Sequence, residues 1–273
     1  MKYQGLSIVP IGGLANRMRV VMSALRLAGD LPVRIRIIWC ASNECKAVWG
    51  DLFQPFEHPD VQMIDGTYKD TVATKRNLYL PRWMRWGEYD KQIENFAPGK
   101  QSLADLMGRY ESLYISTCYA LGDYDSSKVG MVFRPLQELK DKVKAITKDF
   151  TPHTIGVHIR RKDNTEAILH SPLSAFCQRI DAYLKEHDDG KVFLCTDDMA
   201  VKNYFRQRYT DRLITNNVKL ERKSPMGIKD AVLDLWCLAE TSLVLGSYYS
   251  SFSDTAAEIG GQPLEIINTN SVI

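Results

Sequence analysis

The alternation of strand-like and helix-like segments in the second half of the chain limits its fold more than any other feature. From Thr154 onward, short apolar runs with strand spacing are separated by longer segments with helical spacing. The predicted strands are 154–160, 191–195, 212–214, 243–245 and 264–267, and the predicted helices are 173–186, 199–209, 228–240 and 253–259. This pattern predicts an α/β fold, with a parallel sheet covered by helices on both faces.

The first half of the chain starts in the same way, with a strand, a Gly12-Gly13 turn and a helix. The aromatic-rich stretch 79–100 is expected to be irregular or partly helical. The predicted strands are 6–10, 34–40, 61–64 and 113–116, and the predicted helices are 18–28 and 136–148. Thr151-Pro152 marks a natural boundary, so we predict two Rossmann-type lobes, 1–150 and 151–273, with a cleft between them.

The composition excludes several classes of function. The 35 basic and 33 acidic residues give a net charge of +2, which lacks the basic excess of nucleic-acid-binding proteins. The six cysteines form no CxxC pair, which argues against a zinc or thioredoxin-type site. The sequence contains no apolar run of about 20 residues and no signal-like stretch at its start. We therefore expect a cytoplasmic protein without a transmembrane segment or a nucleic-acid partner.

Ligand-binding residues are expected where the strands of the second half end, because open parallel sheets bind ligands beyond the carboxyl ends of their strands. In strand 154–160, alternate positions place His158 and Arg160 on one face, and Arg161 follows. Two guanidinium groups suit a pyrophosphate, since each is planar, charged and able to donate paired hydrogen bonds. The alternative is a surface cluster that Asp163 neutralises.

Two other strand ends carry polar residues. Asp197 and Asp198 lie between a strand and a helix, where one of them is expected to be the N-cap. Ser250 and Ser251 lie at the start of a helix, where unpaired amides favour an anion. Simple capping by Ser251 or Ser253 explains the second group equally well.

Three further features are weaker on their own. Asp234 is the single acid of the apolar helical segment 231–239, a position that is often half-exposed. The Gly12-Gly13 turn allows backbone to approach a ligand, because no side chain blocks it. Asp123 and Asp125 have the DxD spacing of a metal-dependent transferase, but they lie in a polar turn.

Together these segments resemble the superfamily of fucosyltransferases that use GDP-fucose, and they are most similar to its α-1,6-fucosyltransferase and nodulation fucosyltransferase branch. The matching segments are Gly12-Gly13-Leu14-Ala15-Asn16-Arg17, the HxRRxD motif from His158 to Asp163, Thr196-Asp197-Asp198, and Asp234 followed by Ser250-Ser251-Phe252-Ser253. The α-1,6 branch continues its motif with Thr-Glu-Ala and a histidine, as Thr165-Glu166-Ala167 and His170 do here. This chain reaches Glu166 two residues sooner and has Asn164 where that branch has a lysine.

The resemblance implies a minimal bacterial catalytic core of GT-B-like fold. It would transfer fucose from GDP-fucose to a glycan hydroxyl, with inversion and without a metal or other cofactor. Arg160 would stabilise the charge of the departing β-phosphate, Glu166 would be the general base, and Asp234 would accept the two N–H groups of guanine. The other residues implied in catalysis or donor binding are Asp163, Gly13, Asn16, Arg17, His158, Arg161, Ser250 and Ser251.

Two other functions stay open. One is metal-dependent transfer through Asp123 and Asp125, and the other is non-catalytic binding of a GDP-sugar or a glycan on the same fold. The acceptor is expected to bind the N-terminal lobe, where Trp83 and Trp86 would stack on a sugar ring. Packing of both tryptophans inside that lobe is the alternative.

Overall fold

The computed structural model describes residues 3–67, 89–162, 164–216 and 224–268. Within these ranges the chain forms two compact units, one built mainly from residues 3–125 and the other mainly from residues 135–268. Each unit has its own five-stranded sheet. None of the helices in the described ranges is long and apolar enough to cross a membrane.

The first unit alternates strands with helices or loops around a parallel sheet. Its elements are β1 (Gly5–Pro10), α1 (Leu14–Asp30), β2 (Ile35–Cys40), β3 (Val61–Gly66), β4 (Lys91–Ile93), α2 (Leu103–Arg109) and β5 (Ser112–Thr117). The strand order is β3-β2-β1-β5-β4, and every neighbouring pair is parallel. The central strand β1 pairs Leu6 with Ile35 on one side and with Leu113 on the other.

Aromatic packing stabilises the first unit next to β2. The Trp39 and Trp49 rings meet edge to face at 5.7 Å, and Phe53 lies 5.0 Å from Trp49. Phe133 closes the cluster at 5.3 Å from Phe53. These large side chains are almost completely buried, so they contribute much of the apolar area that stabilises this sheet.

The second unit repeats the alternation more regularly. The elements after β5 are α3 (Val129–Val132), α4 (Gln137–Thr147), β6 (Thr154–Ile159), α5 (Thr165–His170), α6 (Leu173–Glu186), β7 (Lys191–Thr196), α7 (Met199–Tyr209), β8 (Leu213–Thr215), α8 (Pro225–Ala239), β9 (Leu243–Ser247), α9 (Ser251–Gly260) and β10 (Leu264–Ile267). The strand order is β10-β9-β6-β7-β8, with all pairs parallel.

The central strand β6 explains why the second sheet is stable. All six of its residues are buried, as expected of a parallel strand that is covered on both faces. Ile155, Val157 and Ile159 pack in one apolar cluster with Phe176 of α6 and Phe205 of α7. The carboxyl ends of β6, β7 and β9 consequently lie side by side at one edge of the sheet.

The structure confirms the predicted α/β architecture of two Rossmann-type lobes. The sequence-based prediction did not include four short elements, which are β4, α2, α3 and α5. The stretch 79–100 is not entirely irregular or helical, because Lys91–Ile93 forms the edge strand β4 beside β5. Helix α5 is absent from the prediction, since six residues are too few to show a helical period.

The boundary between the lobes also differs from the predicted position at 150. Helix α4 belongs with the second unit. It buries Leu139 and Val143, and its Glu138 forms an ion pair of 2.6 Å with Lys229 of α8. The Thr151-Pro152 pair instead marks the turn into β6, where the Thr151 amide donates to Thr154 Oγ1 at 2.7 Å.

Candidate active site

The HxRRxD segment ends the central strand of the second sheet. Its His158 is paired in register with Cys195 of β7 and Gly246 of β9, so the site is bordered by strands on both sides. Gly246 is required there, because a Cβ atom at this position would lie 2.5 Å from Ser253 Oγ. The absence of that side chain lets α9 pack closely over the strand end.

His158 is buried and neutral. Its ring lies 4.8 Å from the Phe252 ring, and its Nδ1 atom has no hydrogen-bond partner within the part of the chain that the structure describes. Burial, aided by the nearby Arg160 charge, lowers the pKa of His158 to about 3. A buried nitrogen without a partner is uncommon in folded proteins, and here it lies near the carboxyl end of the central strand.

Arg160 is fixed from both neighbouring strands. Its amide donates to Ser247 Oγ at 3.0 Å, and that hydroxyl donates in turn to the His158 carbonyl at 3.2 Å. Its Nε atom lies 3.4 Å from Asp197 Oδ2, and the Arg160 side chain is only 13% exposed. The guanidinium therefore has one anchored side and a limited range of orientations.

Asp197 organises the end of β6. Its carboxylate accepts the Arg161 amide at 2.8 Å and the Lys162 amide at 3.4 Å, in addition to its ion pair with Arg160. Asp198 is the N-cap of α7 and accepts the Ala200 amide at 2.7 Å, which confirms that one of these two acids is a cap. The other acid has a positioning role that its place in the sequence did not reveal.

Arg161 has different partners from Arg160. Its Nη1 atom donates to the Arg160 and Ala167 carbonyls, and its Nη2 atom donates to the Ser171 carbonyl at 2.7 Å. Burial lowers the pKa of this guanidinium, while Asp197 and Asp198 oppose the shift. These bonds hold α5 against the end of β6, while the role of Arg161 in binding the donor stays a prediction.

Helix α5 presents Glu166 to solvent beside the strand end. Asn164 is its N-cap: the side-chain oxygen accepts the Ala167 amide at 3.0 Å, and the side-chain amide donates to the Tyr249 carbonyl at 2.9 Å. Glu166 lies 3.4 Å from His170 Nε2 across one turn of the helix. Asp163, predicted to be catalytic, lies outside the described residues, as do Trp83 and Trp86.

The two serines lie at the start of α9, as predicted. Ser250 is its N-cap residue, and its side chain makes no capping bond to any described amide. Its carbonyl accepts the Ser253 hydroxyl at 3.0 Å, so this hydroxyl is turned to a carbonyl rather than to the helix amides. Tyr249, just before it, has a left-handed backbone with φ 54°. The first amides of α9 are thereby left to a ligand or to water.

Asp234 lies in α8, and only 3% of its surface is exposed. Asn216, which directly follows β8, donates from its side-chain amide to Asp234 Oδ1 at 3.0 Å. Burial raises the pKa of Asp234 to about 7. The sequence did not predict the role of Asn216, because a single amide after a three-residue strand carries no recognisable signal.

The glycine turn belongs to the first unit. Gly12 has φ 84°, Gly13 is the N-cap of α1, and Asn16 is half-buried in its first turn. Arg17 is only 1% exposed and donates to the Gly12 carbonyl, the Cys40 carbonyl and Ser42 Oγ at 2.6–2.8 Å. These bonds make Arg17 part of the turn structure, and its role in binding the donor stays a prediction.

The DxD segment has the sequence spacing of a possible metal site. Asp123 and Asp125 are exposed in the turn before a short 3₁₀ helix, Ser126–Lys128. As far as the chain is described, no group of three or more His, Cys, Asp or Glu residues could hold a metal ion.

No protein-family model matches the sequence, and no curated protein is significantly similar to it. Solved structures are similar in fold over nearly the whole chain. NodZ α-1,6-fucosyltransferase soaked with GDP-fucose has a TM-score of 0.63 at 16% identity, covering 94% of this chain and 93% of its own. Selenomethionine NodZ from Bradyrhizobium gives 0.64 at 17% identity, with 93% and 92% covered. POFUT1 in complex with GDP-fucose gives 0.58 at 10% identity, with 96% and 98% covered. The chain therefore has the GT-B-like α/β fold seen in NodZ and POFUT1.

Proposed function

We propose that the chain is a fucosyltransferase that moves fucose from GDP-fucose to a glycan hydroxyl. The observation that carries the proposal is Arg160, a guanidinium anchored by Asp197 at the carboxyl end of the central strand. A fixed cation at this edge is what a departing diphosphate requires. The similarity in fold to NodZ soaked with GDP-fucose, and to POFUT1 in complex with GDP-fucose, supports the same donor.

The proposed reaction is a single displacement. The acceptor oxygen attacks the anomeric carbon from the face opposite the phosphate, and the bond between that carbon and the β-phosphate oxygen breaks. The electron pair leaves with GDP, where Arg160 and the first amides of α9 stabilise the added charge. The acceptor proton passes to Glu166, which His170 holds in place. Attack from the opposite face inverts the anomeric configuration.

The base of the donor is proposed to bind Asp234. Guanine presents two adjacent N–H groups, and an ionised carboxylate accepts both. His158, neutral and with an unpartnered Nδ1, would complete the donor pocket beside the base or phosphate. Because a lost pair leaves a buried acid unsatisfied, GDP should bind roughly 30- to 1000-fold more tightly than ADP.

The proposal includes metal-free catalysis in the cytoplasm, with Gly13 and Asn16 of the glycine turn also contacting the donor. Release of GDP from GDP-fucose in the presence of a glycan mixture tests it, with GDP-mannose as the matched donor and with EDTA added. We expect transfer from GDP-fucose that EDTA leaves unchanged. Loss of transfer in EDTA and recovery with manganese would favour Asp123 and Asp125, while tight GDP binding without turnover would favour a binding protein.

A further inference from the structure

Three residues form a polar chain from α7 to Asp234, in which Lys202 and Asp234 are buried and Asn216 is half-buried. Lys202 Nζ donates to the main-chain carbonyl of Asn216, and the Asn216 side-chain amide donates to Asp234 Oδ1. Only 5% of Lys202 is exposed. The functional meaning of this chain rests on the proposed function, because Asp234 is the carboxylate that would recognise guanine.

Lys202 is an unusual residue for its position. The other buried residues of α7 are Val201, Phe205 and Tyr209, which pack in the apolar core. A buried ammonium is costly unless it is paired and hydrogen-bonded, and an apolar residue would fill the same space without that cost. Here Lys202 lies near a buried carboxylate, and its charge favours the ionised form of that carboxylate.

The groups around Asp234 oppose one another. Burial and the charge of Asp230, one turn earlier in α8, raise the pKa of Asp234, while the Asn216 amide, Lys202 of α7 and the Cys195 thiol lower it. Cys195 of β7 and Cys237 of α8 are buried thiols whose pKa values are raised, so they stay neutral. Among the described residues around Asp234, Lys202 is the positive charge that lowers its pKa.

We propose that Lys202 and Asn216 are positioning residues that keep Asp234 ionised and oriented, and that they thereby set the preference for guanine over adenine. An ionised carboxylate offers only acceptors, which match the two N–H groups of guanine. A protonated carboxyl offers one donor and one acceptor, so it cannot accept from both N–H groups of guanine. Loss of the Lys202 charge therefore weakens GDP binding and lowers the preference for GDP over ADP.

The test is calorimetric titration of the full chain with GDP and with ADP between about pH 5.5 and 8.5. GDP and ADP carry the same diphosphate, so the effect of its titration cancels in the ratio of the two affinities. In the natural protein this ratio should rise with pH through a midpoint near the pKa of Asp234. Lys202→Gln keeps a donor for the Asn216 carbonyl but removes the charge, and Lys185→Met on the exposed surface of α6 is the control.

We expect Lys202→Gln to raise that midpoint by about one pH unit or more, since an opposite charge nearby lowers a carboxyl pKa by about 1–3 units. At pH 7 the ratio should fall about five-fold, and most of it should return at about pH 8.5. Asn216→Leu, which removes the hydrogen bond and keeps the volume, should shift the midpoint in the same direction. Lys185→Met should match the natural protein throughout.

A ratio that falls by the same factor at every pH, with an unmoved midpoint, would overturn the positioning role and leave the proposed function intact. Equal binding of GDP and ADP by the natural protein at every pH would instead overturn the assignment of Asp234 to guanine. Melting curves of each variant show that the protein titrated is folded.

Discussion

Arg160 and Arg161 are adjacent and carry the same charge, yet the fold gives them different tasks. Both residues follow Ile159, the last residue of β6, and Asp197 lies beside the first guanidinium. The second donates to three carbonyls, including those of Ala167 and Ser171. The sequence motif predicted that both lie at the end of the strand, but it did not predict the carbonyl partners of Arg161.

Replacement of Arg160 by alanine should lower kcat for transfer about 10²- to 10³-fold, because one preorganised donor to a developing charge is worth that much. Arg160→Lys should recover little, since an ammonium cannot reproduce the planar pair of donors. Steady-state kinetics and melting temperature are the measurements, with Arg109→Ala on the exposed end of α2 as the control. A folded Arg160→Ala protein with normal turnover would remove this residue from the mechanism.

His158 should make the protein sensitive to acid. Its pKa is about 3 when folded and about 6.5 when unfolded, so protons bind preferentially to the unfolded chain between these values. The stability it contributes is complete above about pH 6.5 and is lost as the pH falls towards about 3. Urea unfolding should show that His158→Phe loses less free energy of unfolding than the natural protein between pH 6.5 and 4. Equal losses would contradict burial of a neutral imidazole.

At the scale of elements, the sequence predicted the long helices of the second unit well and missed several short elements. Helices α6 and α7 were predicted at their observed positions, because burial of one face imposes a clear period. The missed elements β4 and α5 are fixed by hydrogen bonds to distant segments. Asn164 illustrates this, since its bond to Tyr249 joins two segments that are 85 residues apart.

The hydrogen bonds of Arg161 predict which properties of the protein would change if its side chain were removed. Arg161→Ala should loosen α5, so that its amides exchange hydrogen faster and Glu166 is less well placed. We expect kcat to fall and GDP affinity to stay within about two-fold, because no donor contact is removed. Hydrogen exchange and GDP titration are the measurements. A large loss of GDP affinity with unchanged exchange in α5 would restore the role in donor binding that the motif suggested.

At the scale of the whole molecule, the sequence predicted two parallel sheets, but it did not predict which unit each helix joins. Helix α4 lies before the Thr151-Pro152 pair in sequence and yet joins the second unit through Lys229. The polar chain of Lys202, Asn216 and Asp234 was not predicted either, since its residues come from three separate segments of the sequence. Sequence periodicity predicts which face of a helix or strand is buried, but it does not predict which distant polar group will contact that face.

At neutral and higher pH, the buried Asp234 carboxylate should lower the free energy of unfolding, although the same group is proposed to make nucleotide binding specific for guanine. Its pKa is about 7 when folded and about 3.9 when unfolded, so the folded state prefers the proton. This stabilising effect is complete below about pH 3.9 and is lost as the pH rises through about 7. The free energy of unfolding of the natural protein should therefore fall as the pH rises through this range, and Asp234→Asn should not show that fall. The variant should be more stable than the natural protein at pH 8.

The same substitution should abolish the specific effect of GDP on melting. A ligand at 100 times its Kd stabilises the folded state by about 2.7 kcal/mol, which corresponds to a rise of roughly 5–10 °C in Tm for a chain of this size. At pH 8 we expect GDP to raise the Tm of the natural protein by such an amount and ADP to raise it far less. In Asp234→Asn the two nucleotides should act alike, because the amide no longer presents two acceptors to guanine. A variant that is more stable without ligand, and still responds to GDP alone, would mean that Asp234 is a buried structural acid and that guanine is recognised by other groups.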